Sequence, residues 1–176
     1  MEILPLFPSN LVVNNLDSKF NTIDIKNINF NNSGKSGQSA EQSSSLCVIN
    51  DYQELGIEII KIFQDYSYNI LKLNNNFTIS TSWFTRMKPD HTCAMHQHHN
   101  SFFMISDKSA NLNLHNSKTW DIQPKKNMLI FFPSYLEHSI LDNKSKRPRH
   151  SLAFNLIPIG KYGSSDSTYD TEWFKS

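Results

Sequence analysis

The sequence predicts a mainly β domain, a sandwich or an open barrel, with one helix packed on its outside. Only one stretch, at about 51–73, carries apolar residues at helical spacing. Several other segments are short, rich in β-branched and aromatic residues, and bounded by Asn, Pro, Ser or Lys. One helix with many short strands is typical of sandwiches and barrels, and 176 residues suffice for a single domain, 1–176.

The first 45 residues contribute little to a core. The segment "FNTIDIKNINF" places Ile23, Ile25, Ile28 and Phe30 at spacings that favour short extended pieces. The following "NNSGKSGQSAEQSSS" (31–45) has almost no apolar side chain and is predicted to be a polar loop.

The predicted helix is "DYQELGIEIIKIFQDYSYNILKL". Its apolar residues fall mostly at spacings of three and four, which indicates one apolar stripe: Leu55, Ile57, Ile59, Ile60, Phe63, Tyr66 and Ile70. Asn50 or Asp51 is the expected N-cap, and the Asn run at 74–76 is expected to end the helix.

Strand patterns dominate the rest of the chain. The segment "FTISTSWFTRM" alternates, with Phe77, Ile79, Thr81 and Trp83 on one side. Further strands are predicted in "NLNLH" (111–115), "NMLIFFP" (127–133) and "HSLAFNLIPI" (150–159), and the tail 163–176 is predicted to be loosely ordered.

Composition excludes several classes of protein. The net charge is +1, and the basic segment "KSKRPRH" (144–150) is too short to argue for nucleic acid, so it is interpreted as a solvated loop. The two cysteines form no disulfide framework, and neither a signal peptide nor a membrane-spanning stretch is evident. We therefore expect a soluble, cytoplasmic protein without a membrane partner.

The segment "CAMHQHHNSFF" (93–103) holds three of the seven histidines. In a strand, His96 and His98 point to the same face, where two imidazoles can bind one divalent cation, while His99 points away. Three interpretations remain open: a metal site completed by a distant ligand, a zinc site that includes Cys93, or a solvated loop.

Two later residues fit the first interpretation. His138 follows the apolar strand "MLIFF", where it could supply a third ligand. Arg149 opens the strand "RHSLAFN", and an inward-facing guanidinium expects an anion, for which its planar fork suits a carboxylate. Exposure of Arg149 to solvent beside Arg147 is the alternative.

At these residues the chain resembles the small phage and bacterial 2-oxoglutarate–Fe(II) oxygenases, which are related to prolyl hydroxylase-like enzymes. The segments "LIFFPSYLEHSI" (129–140) and "RHSLAFN" (149–155) resemble the family's FPSWLxHxV and RxSxSFN motifs and are its most specific part. "TSWFTRM" followed by "HQHHNS" is similar to the family's W…HxHPNS block. "LFPSNLVVNNLD" and "NNSGKSGQS" resemble its opening strand and its Gly-containing loop.

The resemblance implies a double-stranded β-helix (jelly roll), with the helix at about 51–73 as its support. It implies that His96 and His138 bind Fe(II), that His98 stands at the third metal position, and that Arg149 pairs with the distal carboxylate of 2-oxoglutarate. Related oxygenases hold an Asp where this chain has His98, and Asp107 or Glu137 is an alternative acidic ligand. The strand that normally follows the histidine block is shortened in "FFMISDKSANLNL".

The implied function is oxidation of a substrate coupled to decarboxylation of 2-oxoglutarate, with O₂ as the oxidant. The alternatives are a jelly-roll metal-binding or interaction protein that has lost turnover, and a structural zinc protein. The sequence does not identify the prime substrate, and a homodimer is one option for assembly. A phage-encoded chain would act in the host cytoplasm.

Overall fold

The computed structural model of the protein describes residues 11–32, 39–96, 122–162 and 168–170. Within these ranges the chain is mainly β, with antiparallel pairing and one α-helix, as predicted, and is consistent with a jelly-roll type. The strands are β1 (Val12–Asn15), β2 (Phe30–Asn32), β3 (Glu41–Ser43), β4 (Phe77–Met87), β5 (Cys93–His96), β6 (Met128–Phe131), β7 (His138–Ile140), β8 (Arg149–Pro158), β9 (Lys161–Tyr162) and β10 (Tyr169–Asp170). Helix α1 is Gln53–Asn69, and two 3-10 helices span Ser18–Thr22 and Val48–Asp51.

The chain divides into two compact units, residues 1–23 with 97–138 and residues 24–96 with 139–176. In the first unit, β1 pairs antiparallel with β6, and Leu129, Phe131 and Tyr135 are buried. Asn127 adopts φ 61° just before β6, a conformation that Asn tolerates, and its side chain donates to the Asp17 carbonyl. The organisation of the whole chain as one domain stays a prediction.

The main element of the second unit is a four-stranded sheet in the order β2-β3-β4-β8. Its longest ladder joins β4 and β8, from the pair Phe77–Pro158 to the pair Met87–Arg149, with an irregularity between Ile79 and Thr81. Both strands are rich in β-branched and aromatic residues, which pack well on a pleated surface. The strands predicted at 77–87, 127–133 and 150–159 are thus found, whereas 111–115 lies outside the described residues.

The predicted polar loop at 31–45 contains the end of β2 and the whole of β3. Strands β2 and β3 pair antiparallel there, with Phe30 opposite Ser43 and Asn32 opposite Glu41. Hydrogen bonds replace apolar burial in this segment: the buried Ser43 hydroxyl accepts from the Phe84 backbone N–H at 3.1 Å. A loop prediction based on hydrophobicity alone could not detect this pairing.

Helix α1 lies inside the predicted range but is shorter at both ends. Tyr52 occupies the N-cap position without a side-chain cap, because Asp51 belongs to the preceding 3-10 helix. The helix ends at Asn69, and Lys72 already has a positive φ of 58°. Leu55 and Ile59 are buried as predicted, but Ile57 and Ile70 of the predicted stripe are exposed.

A small core cluster joins the sheet to the next strands. Ala40, Met87 and Cys93 are all buried, and Ile140 packs against them. Strand β5 pairs with β7, and β9 pairs with β10, each in a two-stranded sheet. Among the described helices, none is long and apolar enough to cross a membrane.

Candidate functional site

Arg149 is the first residue of β8 and lies opposite Met87, the last residue of β4. Its Nη2 lies 3.0 Å from the Met87 sulfur and donates to the Leu141 carbonyl at 3.3 Å. The residue is half-buried, so part of its side chain remains accessible to solvent. A guanidinium keeps its charge in any such environment, because its proton cannot be removed at physiological pH.

Neither partner of Arg149 carries a negative charge. Among the described residues, no carboxylate forms an ion pair with it; the salt bridges found there involve Arg86, Lys88, Lys144 and Lys161. Partial burial of a charge is costly unless an opposite charge compensates it. Arg149 is therefore suited to bind an anion, and its remaining N–H groups match a carboxylate.

The position of Met87 defines which side of the sheet Arg149 occupies. Met87 is 1% exposed and packs with Cys93, the first residue of β5, and with Ile140, the last residue of β7. Because Nη2 contacts the Met87 sulfur, the guanidinium lies on the side of the sheet that packs against these two strands. An anion bound there would lie beside apolar side chains, where electrostatic interactions are stronger than in water.

His138 is held by neighbours within its own unit. Its Nδ1 lies 2.9 Å from the Leu136 carbonyl, and its ring packs edge-on against Phe132 with 4.8 Å between centroids. A carbonyl oxygen only accepts, so Nδ1 carries the proton in this contact. In the neutral ring Nε2 then carries the lone pair, and a backbone-bound Nδ1–H is the usual orientation of a metal-binding histidine.

The other predicted ligands are described only in part. His96 is the last residue of β5, as the strand pattern predicts, whereas His98 lies outside the described residues, as do His99 and Asp107. Across the ranges 11–32, 39–96, 122–162 and 168–170, no group of three His, Cys, Asp or Glu side chains could hold a metal. The ligand set His96, His98 and His138 therefore stays a prediction.

Two alternative ligands have surroundings that suit other roles. Cys93 is 6% exposed and packs with Ala40 and Met87, so its thiol occupies an apolar core position. Glu137 is exposed beside His138, in keeping with the expectation that neighbours in an extended segment face opposite ways.

The opposite face of the same ladder end carries a compensated charge cluster. Arg86 and Lys88 donate to Glu41 at 2.5 and 2.6 Å, and Arg86 also lies 4.4 Å from the Phe30 ring centroid. The Arg86 hydrogen bond is the main reason that the pKa of Glu41 lies below its usual value. Burial lowers the pKa of His150, which lies opposite Arg86, and the Arg86 charge lowers it further.

Asn143 was not predicted from the sequence, although it is 5% exposed in the segment that leads to Arg149. Its amide donates to the carbonyls of Met87 and Arg147, at 2.8 Å each. Its neighbours "LDNKSK" are polar and suggest only a solvated loop. A buried amide in such a loop has no sequence signal, because most of its partners are backbone groups.

Comparison with known proteins supports the resemblance drawn from the motifs. Residues 102–155 match a family described as "Putative 2OG-Fe(II) oxygenase". The matched segment is less than a third of the chain and contains both His138 and Arg149, while His96 and His98 precede it. The match therefore supports a 2-oxoglutarate–Fe(II) oxygenase assignment and covers one predicted metal ligand and the predicted cosubstrate arginine.

A second comparison gives a partial similarity of another kind. The chain is 36% identical over 82 residues to a protein of Podospora anserina named "Probable DNA-directed RNA polymerase". The similarity covers 43% of this chain but only 8% of that protein. No solved structure matches the chain significantly.

Proposed function

We propose that the chain is an Fe(II)- and 2-oxoglutarate-dependent oxygenase. The observation that carries this proposal is the environment of Arg149: a half-buried guanidinium that touches a sulfur and a carbonyl and has no carboxylate partner among the described residues. Such a group suits the distal carboxylate of a dicarboxylic acid. Its place inside the segment that matches the oxygenase family supports the same role.

The metal would be held by His96, His98 and His138. His138 suits this role because its Nδ1–H is engaged by the Leu136 carbonyl, which directs the Nε2 lone pair to a ligand. His96 ends β5 and His138 begins β7, and these two strands pair. When bound, Fe(II) and 2-oxoglutarate supply an oxidant for a substrate C–H bond, with O₂ consumed and succinate and CO₂ released.

The chain's own residues bind and orient the cosubstrate. Arg149 would form a charge-assisted, two-pronged contact with the carboxylate remote from the metal, which fixes the direction of the molecule. Met87, whose sulfur lies 3.0 Å from Nη2, packs with Cys93 and Ile140, and this apolar cluster would limit access of water to the contact. Orientation and exclusion of water are the protein's part in chemistry that the metal and cosubstrate perform.

An all-histidine ligand set would donate less negative charge to iron than a set with one carboxylate. We propose His98 as the third ligand because the sequence pattern HxH predicts that its side chain points to the same side as that of His96. We propose a cytoplasmic site of action, where ferrous iron and both cysteines, Cys47 and Cys93, stay reduced.

The test is reconstitution with Fe(II) under anaerobic conditions, followed by addition of 2-oxoglutarate and a visible absorbance spectrum. A keto acid chelated to ferrous iron gives a weak charge-transfer band, so we expect the band to appear and to saturate with 2-oxoglutarate. His138→Ala should abolish it. His150→Ala, which changes a histidine on the opposite side of the ladder, should retain it.

The zinc alternative makes the opposite prediction. A structural zinc protein would show no band, would retain zinc through dialysis against a chelator, and would lose that zinc on Cys93→Ala. This combination would contradict the proposed function. If instead Cys93→Ala changes neither metal content nor the band, the packing of Cys93 with Ala40 and Met87 accounts for its presence.

A further inference from the structure

The segment before Arg149 is organised around one buried amide. Asn143 donates through Nδ2 to the carbonyls of Met87 and Arg147, at 2.8 Å each. Its Oδ1 accepts from the backbone N–H and the hydroxyl of Ser145, at 3.2 and 2.8 Å. The donor and acceptor groups of this amide are thus all engaged, which makes its replacement costly in a site that is 5% exposed.

The backbone of Asn143 adds two further bonds. Its N–H donates to the His91 carbonyl at 3.2 Å, and its own carbonyl accepts from the Asp90 N–H at 3.0 Å. Asn143 therefore fastens the turn that follows β4 (88–92) to the segment that precedes β8 (141–148). Asp90 needs such support, because its φ of 61° is unusual for a residue other than glycine.

The same bonds fix both groups that Arg149 contacts. Met87, whose sulfur lies 3.0 Å from Nη2, is held through its carbonyl by the Asn143 amide. Leu141, whose carbonyl accepts from Nη2, lies two residues before Asn143 on the fastened segment. Without the amide, the Met87 carbonyl would lose its side-chain bond, and the segment from Leu141 to Arg149 would lose its side-chain anchor to β4, while the backbone bonds of Asn143 would remain.

We propose that Asn143 is a positioning residue for 2-oxoglutarate, acting through Arg149. This inference rests on the proposed function, in which Arg149 contacts the distal carboxylate. Asn143 does not touch the cosubstrate; it holds the guanidinium in place before the cosubstrate arrives, so that less freedom is lost on binding. Its removal should therefore weaken cosubstrate binding through Arg149 and through no other group.

The experiment is calorimetric titration of 2-oxoglutarate into the Mn(II)-loaded chain, which avoids oxidation during binding. Asn143→Ala should weaken 2-oxoglutarate binding about tenfold, since about 1.4 kcal/mol is within the range for a lost buried hydrogen-bond network. The decisive comparison is a double-mutant cycle. Asn143→Ala combined with Arg149→Ala should bind 2-oxoglutarate no more weakly than Arg149→Ala alone.

Two further variants separate positioning from general stability. Ser145→Ala removes an exposed hydroxyl that donates to Asn143 Oδ1, so it should shift the affinity in the same direction by about threefold, with the fold intact. Asn155→Ala removes another side-chain hydrogen bond between β4 and β8. The Asn155 amide donates to the Thr81 hydroxyl at 2.8 Å, near the other end of the strands. This variant should lower the melting temperature without changing 2-oxoglutarate affinity.

The outcomes are distinguishable. Unchanged affinity in Asn143→Ala, or losses that multiply in the double variant, would overturn the positioning role and leave the proposed function standing. If the wild-type chain does not bind 2-oxoglutarate, the proposed function fails in the first titration, and the positioning role fails with it. If Asn143→Ala does not fold, the affinity of Ser145→Ala decides, and no change there overturns the role.

Discussion

Two arginines occupy successive rungs at one end of the β4–β8 ladder and face opposite sides of the sheet. Arg86 lies opposite His150, and Arg149 lies opposite Met87. Arg86 is paired with Glu41 and stacked over Phe30, whereas the contacts of Arg149 with other described residues are to a sulfur and a carbonyl. The sheet thus presents one compensated guanidinium and, within the described residues, one without a counter-charge.

The difference between Arg86 and Arg149 gives a criterion that separates a structural arginine from a ligand-binding arginine. A protein that needs an arginine for stability supplies its carboxylate from the same chain, as Glu41 does for Arg86. A protein that needs an arginine for ligand binding leaves the N–H groups of the guanidinium for the ligand and positions the guanidinium by neutral groups. Met87, Leu141 and Asn143 provide such groups around Arg149.

We expect the largest effect from substitution of Arg149, the arginine proposed to bind 2-oxoglutarate. Arg149→Ala should weaken 2-oxoglutarate binding on the order of 100-fold, because a buried charged contact is lost from one side only. The 2-oxoglutarate affinity of Arg149→Lys should fall between those of wild type and Arg149→Ala, since lysine keeps the charge but not the planar fork. Calorimetric titration of the Mn(II)-loaded variants measures both, and Arg86→Ala is the matched control with wild-type affinity. Equal losses in Arg86→Ala and Arg149→Ala would break the comparison.

The second expected effect concerns the contribution to stability of the charge cluster of Glu41, Arg86 and Lys88. Glu41→Gln should lower the free energy of unfolding by about 1 kcal/mol at neutral pH, because Arg86 and Lys88 both lose their charged partner. Asp142→Asn, which breaks the exposed pair with Lys144, should change it by less. Urea unfolding of the three proteins gives the values. A loss of 2-oxoglutarate affinity in Glu41→Gln would show that the two sides are not independent.

The third effect is the acid dependence of that stability. The pKa of Glu41 is lowered in the folded chain, chiefly by the Arg86 hydrogen bond, so the unfolded chain takes up its proton first as the pH falls. The contribution of Glu41 is therefore complete above its unfolded pKa of about 4.5 and is lost as the pH falls through the folded value. Unfolding free energies of wild type and Glu41→Gln should converge over that interval. A constant difference down to the lowest pH would argue against the assignment.

The smallest expected effect concerns the pKa of His150 and its contribution to stability. Burial and then the Arg86 charge lower its pKa below the ordinary 6.5, so the unfolded chain binds this proton more tightly than the folded one. Its neutral form favours folding above pH 6.5, and this part of the stability declines as the pH falls below that value. Arg86→Gln should raise the pKa of His150 by removing the second cause, as measured by NMR titration of the ring protons. A lower pKa in that variant would contradict the electrostatic account.

The elements that sequence predicts well are those with strong apolar periodicity. The strand at 77–87 and the strand that begins at Arg149 follow alternating or continuous apolar patterns, and helix α1 follows a stripe that includes Leu55 and Ile59. The pairing of β2 with β3 was not predicted, because Ser43 and its neighbours contribute hydrogen bonds and not apolar area. Propensity identifies apolar burial but gives no signal for polar pairing.

The residues of the candidate site also differ in how far the sequence predicts them. Motif resemblance identified His138 and Arg149, and both lie in the segment that matches the oxygenase family. The environment of Arg149, which has no carboxylate partner in the part of the chain that the structure describes, depends on Met87 and Leu141, which are distant or uninformative in sequence. Asn143 was missed because its four polar partners are mostly backbone atoms, which every residue possesses.

The central claim is that Arg149 and a histidine-bound metal together hold 2-oxoglutarate. The most direct test is a crystal structure of the chain with Mn(II) and 2-oxoglutarate. We predict the distal carboxylate of 2-oxoglutarate within hydrogen-bonding distance of the Arg149 guanidinium, and Mn(II) bound by Nε2 of His138 together with His96 and His98. A metal ligated by Cys93, or 2-oxoglutarate bound away from Arg149, would contradict the account.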